Sequence, residues 1–181
     1  MKITVYIATS LDGFIARPDG DIEWLHNPDY VLDDGNDMGF GALMESIDYL
    51  VMGSGSYEKV RSFDIPWPYK KPVIVLSSRP QDIPAELASK ISQMSGSPAE
   101  IVQSLKNKGY QHIYLDGGKT VQDFLAAGLV TELIITKIPL LLGAGIPLFG
   151  PLPQDLHLDH LQTRSFKNGM VQSHYTVRGM S

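Results

Sequence analysis

Apolar and polar residues alternate along KITVYIAT (2–9), the period of a strand with one face on a core. A long segment follows, SLDGFIARPDGDIEWLHNPDY (10–30), rich in Gly, Pro and Asp. That composition predicts a loop, and loops of such length in compact domains are functional or mobile. A helix is expected over 37–46, a buried strand at YLVMG (49–53), and a second helix over SGSYEKVRSF (54–63), with serine near its start. KPVIVLSS (71–78) reads as a strand that ends in polar residues, and SKISQMSG (89–96) as a further strand. SPAEIVQSLKNKG (97–109) carries full helix punctuation: Ser97 as cap, Pro98 at the first position, Glu100 closing a capping box and Gly109 as the stop. QHIYLDG (111–117) is a strand, 120–127 a helix and TELIITKIP (131–139) a strand. In the tail, Asn168-Gly169 separates two alternating segments, a hairpin signal.

Strands that alternate with helices imply an α/β fold: a mostly parallel sheet, covered on both faces in three α/β/α layers, with an antiparallel hairpin at one edge. The length of 181 residues and the absence of an internal repeat or linker favour a single domain. Such sheets bind ligands beyond the carboxyl ends of their strands. Here those ends carry TSLDG, MGSGSYE, SSRP and DGGKT, and their convergence marks a candidate site.

The GGKT letters (117–120) resemble the end of a nucleoside-triphosphate loop, but the spacing excludes one. Such a loop needs a glycine five positions before the glycine of the Gly-Lys pair, and that position is Ile113, inside a strand. What remains is a strand, a tight Gly-Gly turn and a helix start with unpaired N–H groups and a positive dipole end. That arrangement suits a phosphate or pyrophosphate; it also fits an ordinary turn between strand and helix.

Composition narrows the classes. With no cysteine there is no disulfide, thiolate ligand or thiol nucleophile, which fits a reducing cytoplasm. A net charge of −5 without a basic cluster argues against a nucleic-acid partner. The apolar run IPLLLGAGIPLF (138–149) is broken by Gly and Pro, so no membrane partner is expected, and the N-terminus lacks a signal-peptide pattern. His157 and His160 lie in an alternating segment that puts them on opposite faces, so no metal site is expected.

ATSLDGFIA, LVMGSGSYE, VIVLSSRP and IYLDGGKTVQDFLAAGLVTELIITKIPLLLGAGIPLF occur in that order over nearly the whole chain. Together they resemble the dihydrofolate-reductase-like family, and most its riboflavin-biosynthesis branch, the C-terminal reductase domain of the bifunctional deaminase-reductase. The resemblance implies an NADPH-dependent oxidoreductase that passes a hydride to a small heterocyclic or ribosylamino substrate. It assigns Ala8 to the nicotinamide carboxamide, Ile15 to the nicotinamide face, and Gly53, Ser54 and Ser56 to the cofactor phosphates. It assigns Ser77, Ser78 and Arg79 to the adenosine 2′-phosphate, and Gly117, Gly118, Lys119, Thr120 and Val121 to the pyrophosphate. It further implies a cis peptide between Gly117 and Gly118 and a homodimer. One position departs: a basic residue often follows the glycine of the MG motif in the family, and here it is Ser54. Arg79 could compensate, or be a solvated residue before a turn proline.

Two carboxylates are candidate catalytic residues. Asp12 either forms a turn with its own backbone or faces cofactor and substrate. Asp37 either favours a helix dipole or holds the substrate, and with Asp33 and Asp34 it could instead belong to a solvated loop. Trp24 and Phe40 either stack on substrate or fill the core. Two alternatives accompany the reductase reading: a folate reductase, and a dinucleotide-binding protein without turnover. The zinc-binding His and Cys motifs of the deaminase domain are absent, which leaves a stand-alone reductase for that pyrimidine or one shifted to another substrate.

Overall fold

The computed structural model describes residues 1–32 and 35–179. Asp33 and Asp34 therefore lie outside the described residues. The strands are β1 (Lys2–Ser10), β2 (Phe14–Ala16), β3 (Tyr49–Gly53), β4 (Val73–Leu76), β5 (Ile91–Met94), β6 (His112–Asp116), β7 (Glu132–Ile138), β8 (Ile146–Pro147), β9 (Leu158–Ser165) and β10 (Val171–Val177). The helices are α1 (Phe40–Ser46), α2 (Ser54–Arg61), α3 (Pro98–Asn107) and α4 (Gly118–Ala126).

Eight strands form one sheet in the order β5-β4-β3-β6-β1-β7-β10-β9. β5, β4, β3, β6, β1 and β7 pair in parallel, and β10 runs antiparallel to both β7 and β9. The period-two pattern of β1 explains its central place. Ile3 and Val5 point to one core, while Tyr6 packs on the other. On the first face lie α3 and α4, through Ile101, Val102, Leu105, Val121, Phe124 and Leu125. Leu43 of α1 and Tyr57 of α2 cover the second, with Leu50, Met52, Val73, Val75 and Tyr114 beneath them. Sheet and helices thus form the three layers expected. Among the described residues, no helix is long and apolar enough to cross a membrane.

Local signals explain several element ends. Ser97 and Glu100 form both halves of the capping box, with Pro98 at the first position of α3. The Asn168-Gly169 turn is closed by Phe166 N donating to Met170 O at 2.9 Å, with Gly169 at φ +84°. α1 begins at Phe40 rather than at 37, because Gly39 takes φ +89° and breaks the helical run. A second sheet was not anticipated: β2 and β8 pair antiparallel, Phe14 with Pro147 and Ala16 with Ile146. It folds the long first loop back over the carboxyl end of the main sheet.

Candidate active site

A cleft of about 440 Å³ opens at the carboxyl ends of β1, β3 and β6. Two helix starts form one side of it. α2 begins directly after β3 and α4 directly after β6, and neither has a side-chain cap on its first turn. Their first-turn amides are therefore available to an anion. The two turns touch: a Cβ at Gly53 would lie 2.7 Å from Thr120 Oγ1, and a Cβ at Gly117 would strike Ser56 Oγ. Glycine at both places lets the helix starts converge. Lys59 and Lys119 also line the cleft; Lys119 pairs with Asp123 one turn on.

The second sheet forms the roof. Ile15, Ala16 and Ile146 line the cleft from above. A Cβ at Gly118 would sit 2.6 Å from Ile15 Cδ1 and 3.6 Å from Ile146 Cγ2, so the roof rests on the start of α4. Ile7 and Ala8 of β1 and Asp116 of β6 line the cleft as well. Gly20, Ile22 and Leu25 of the long first loop complete the lining.

Ala8, Ile15, Gly53, Ser56, Gly117, Gly118, Lys119 and Thr120 are thus brought together on one cleft. Ser54 is the first residue of α2 but does not line it, and Val121 is fully buried in the core. The Val121 amide already donates to Gly117 O at 2.9 Å. Ser77, Ser78 and Arg79 lie at the end of β4, outside the cleft wall. Ser77 Oγ donates to Arg79 O at 2.8 Å and accepts from Arg79 N at 3.1 Å, so this hydroxyl closes its own turn. Ser78 and Arg79 are exposed. The expected cis peptide is not present: the Gly117–Gly118 bond is trans. The turn is made by Gly117 at φ +93°, a conformation costly for any residue with a Cβ, so the chain redirects without isomerising the bond.

The two carboxylates proposed from sequence are both exposed. Asp37 caps the start of α1, accepting from Gly39 N at 2.9 Å and Gly41 N at 2.7 Å, and these amides hold its carboxyl below the usual carboxylate range. Asp12 accepts from Ser10 Oγ at 2.5 Å, Gly143 N at 2.8 Å and Leu142 N at 3.2 Å. The Ser10 hydroxyl, then the two amides, likewise depress its pKa. Trp24 packs against Ile138 and Met170 in a core, and Phe40 lies against Tyr6 and Tyr114, with ring centroids 5.5 and 6.3 Å away.

Asp116 is the acid that the sequence reading passed over. Burial pushes its carboxyl up, only partly offset by the Gly117 amide and the Tyr114 hydroxyl. Burial and the nearby Asp116 charge in turn raise the pKa of Tyr69 and of Tyr114. Tyr114 Oη donates to Tyr6 O at 2.9 Å. A partly buried carboxyl at the wall of an apolar cleft, with its pKa raised, is the chemistry of a proton donor. A signal was available: the aspartate directly before a Gly-Gly turn, at the end of a buried strand.

The fold and cleft can now be set beside known proteins. The model of the RibD C-terminal domain matches residues 1–172. The chain belongs to this family. It is 34% identical over 176 residues to the uncharacterized protein YwjB of Bacillus subtilis (strain 168), covering 96% of this chain and 97% of that one. It is also similar to a crystal structure from Shewanella sp. PV-4 named for riboflavin biosynthesis, with TM-score 0.92 and 40% identity over 98% of this chain and 99% of the other. A dihydrofolate reductase from Enterococcus faecalis, complexed with NADP(H) and RAB-propyl, shares the fold at TM-score 0.65 and 18% identity, covering 99% and 97%. The family and the dihydrofolate-reductase-like fold expected from the motifs are therefore established. The cis turn is the correction.

Proposed function

We propose that this member of the RibD C-terminal domain family is an NADPH-dependent reductase acting on a small heterocyclic or ribosylamino substrate. One observation carries the reading. Two uncapped helix starts converge on a cleft that Ala8, Ile15 and Asp116 also line. Backbone amides suited to an anion and an apolar wall thus line one groove, which suits a dinucleotide. The fit is local: a Cβ at Gly53, Gly117 or Gly118 would crowd the cradle or the roof above it. The family match and the NADP(H) complex of the E. faecalis reductase support the same cofactor.

When bound, the cofactor supplies a hydride from its nicotinamide ring. The chain's own residues bind, orient and exclude water. Gly55, Ser56 and Gly118–Thr120, at the two helix starts, would offer N–H groups and dipole ends to the pyrophosphate. Ala8 and Ile15 hold the ring end, and the apolar roof keeps water from it. Asp116, on the cleft wall, would give a proton to a nitrogen or oxygen of the substrate as the adjacent carbon is reduced. Arg79 and Ser78 reach solvent beyond β4 and can meet a 2′-phosphate at the outer end of a dinucleotide.

The test is cofactor oxidation with purified protein. A ribosylaminopyrimidine and dihydrofolate are offered in turn as acceptors, with NADPH or NADH. NADPH oxidation that depends on the first acceptor supports the proposal. Oxidation only with dihydrofolate would assign the site to folate reduction. Tight binding without oxidation by any acceptor would leave a binding protein.

A further inference from the structure

We propose that Asp12 is a positioning residue: it locks the 10–16 loop to the 140–148 segment, so that the two form one roof over the cleft. This deepens the dinucleotide reading and rests on it. Asp12 itself is exposed and outside the cleft wall, so it does not meet a ligand there. Its two oxygens instead bridge two stretches of chain far apart in sequence. Oδ1 takes the Ser10 hydroxyl and the Leu142 amide, and Oδ2 the Gly143 amide. Ser10 Oγ in turn accepts from Phe14 N at 3.0 Å, which fixes the first residue of β2.

The bridge is the centre of a longer seam. Leu11 N donates to Leu140 O at 2.8 Å, and Leu148 N to Gly13 O at 3.0 Å. Lys137 Nζ donates to Leu11 O at 3.2 Å. Beyond the Gly13–Leu148 contact β2 pairs with β8, and the paired residues include Ala16 and Ile146, which line the cleft beside Ile15. β2 has three residues and β8 two, too few to hold an isolated sheet in water. The carboxylate adds the fixed point that such a ribbon lacks. Its geometry also explains the residue type. Two consecutive amides aim at one side chain, which must accept from both. An amide side chain would turn one accepting oxygen into a donor facing an N–H.

Hydrogen exchange by NMR, with cofactor binding, tests the proposal in the full chain. In the wild type, the Leu142 and Gly143 amides should exchange slowly. In Asp12→Asn and Asp12→Ala they should exchange at least about tenfold faster, as expected for loss of charge-assisted hydrogen bonds. In both variants NADPH should dissociate about tenfold or more faster, while hydride transfer in the saturated enzyme changes less than about threefold. Asp12→Asn, nearly unchanged in shape, guards against a folding defect. Unaltered exchange at both amides would overturn the clamp. Slow exchange combined with a loss of hydride transfer at saturating NADPH would overturn the positioning role and make Asp12 a catalytic residue. Altered exchange with unchanged NADPH release would also overturn it, since the roof would not serve the cofactor. If the wild type ignores NADPH, the dinucleotide reading fails; the exchange result still decides whether the clamp exists.

Discussion

Outside the cleft wall, Asp12 and Asp37 stand in solvent, and their oxygens accept backbone amides that lower their pKa values. On the cleft wall, Asp116 is desolvated beside Tyr69 and Tyr114, and its pKa is raised. The same side chain thus has opposite tasks. An aspartate held as an anion by N–H groups organises backbone; one pressed toward its neutral form can give up a proton. Loop position and an acidic letter made the first two look chemical. Environment sets the third apart, because burial presses it toward its acid form.

The strongest way to break this comparison is to neutralise each region in turn. Asp116→Asn should lower the hydride-transfer rate by about 10²–10⁴-fold, the usual range for a lost general acid, with NADPH affinity nearly unchanged. Asp37→Asn should leave that rate within about threefold and lower the melting temperature by a few degrees, as for a lost helix cap. Rapid-mixing kinetics and thermal melts separate the two. A larger rate loss at Asp37 than at Asp116 would reverse the assignment.

The pH profile sharpens the same contrast. Because the folded Asp116 pKa is raised, its acid form persists above the ordinary carboxylate range, and the rate should fall as pH rises through that raised value. The limb should vanish in Asp116→Asn. Asp37 is depressed in the fold, so its cap is present above the unfolded value and weakens only as pH falls through the lowered folded one. The Asp37 cap should therefore persist through the pH range over which the rate falls.

A smaller effect is expected at the roof. At Gly118, an added Cβ meets Ile15 Cδ1, the movable end of a side chain, rather than backbone. Gly118→Ala should leave the apo melting temperature nearly unchanged, while Ile15 shifts into the cleft and weakens NADPH by about tenfold. Titration calorimetry reads the affinity. A fall in stability with unchanged affinity would make Gly118 a packing residue alone. Similar in size, and confined to one cofactor, is the effect of Arg79→Ala. It should weaken NADPH by about tenfold and spare NADH, the loss of one charge-assisted hydrogen bond. Equal effects on both cofactors would remove Arg79 from the 2′-phosphate.

Much of this architecture was legible beforehand. The β1 alternation, the Ser97-Pro98-Glu100 punctuation and the Asn168-Gly169 turn are local signals, and each produced its element. The β2–β8 sheet was not legible. Strands of three and two residues have no readable period, and they exist because distant loops meet. The site divided along the same line. Gly53, Gly117 and Gly118 announced close approach by being glycine, and they line the cleft. Asp12, Asp37 and Asp116 could not be ranked in advance, because a carboxyl's pKa depends on neighbours from other strands and on burial. The turn at Gly117 was misjudged for a related reason. A glycine can redirect the chain by a positive φ as well as by a cis bond, and the letters do not say which.

The central claim is that the two converging helix starts hold a nicotinamide dinucleotide. Titration calorimetry of the purified protein with NADPH, and separately with ATP, tests it most directly. The account predicts saturable one-to-one NADPH binding that Gly118→Ala weakens, with ATP binding at least about a hundredfold weaker, a gap of about 2.7 kcal/mol. ATP binding as tight as NADPH, or NADPH affinity indifferent to Gly118→Ala, would contradict it.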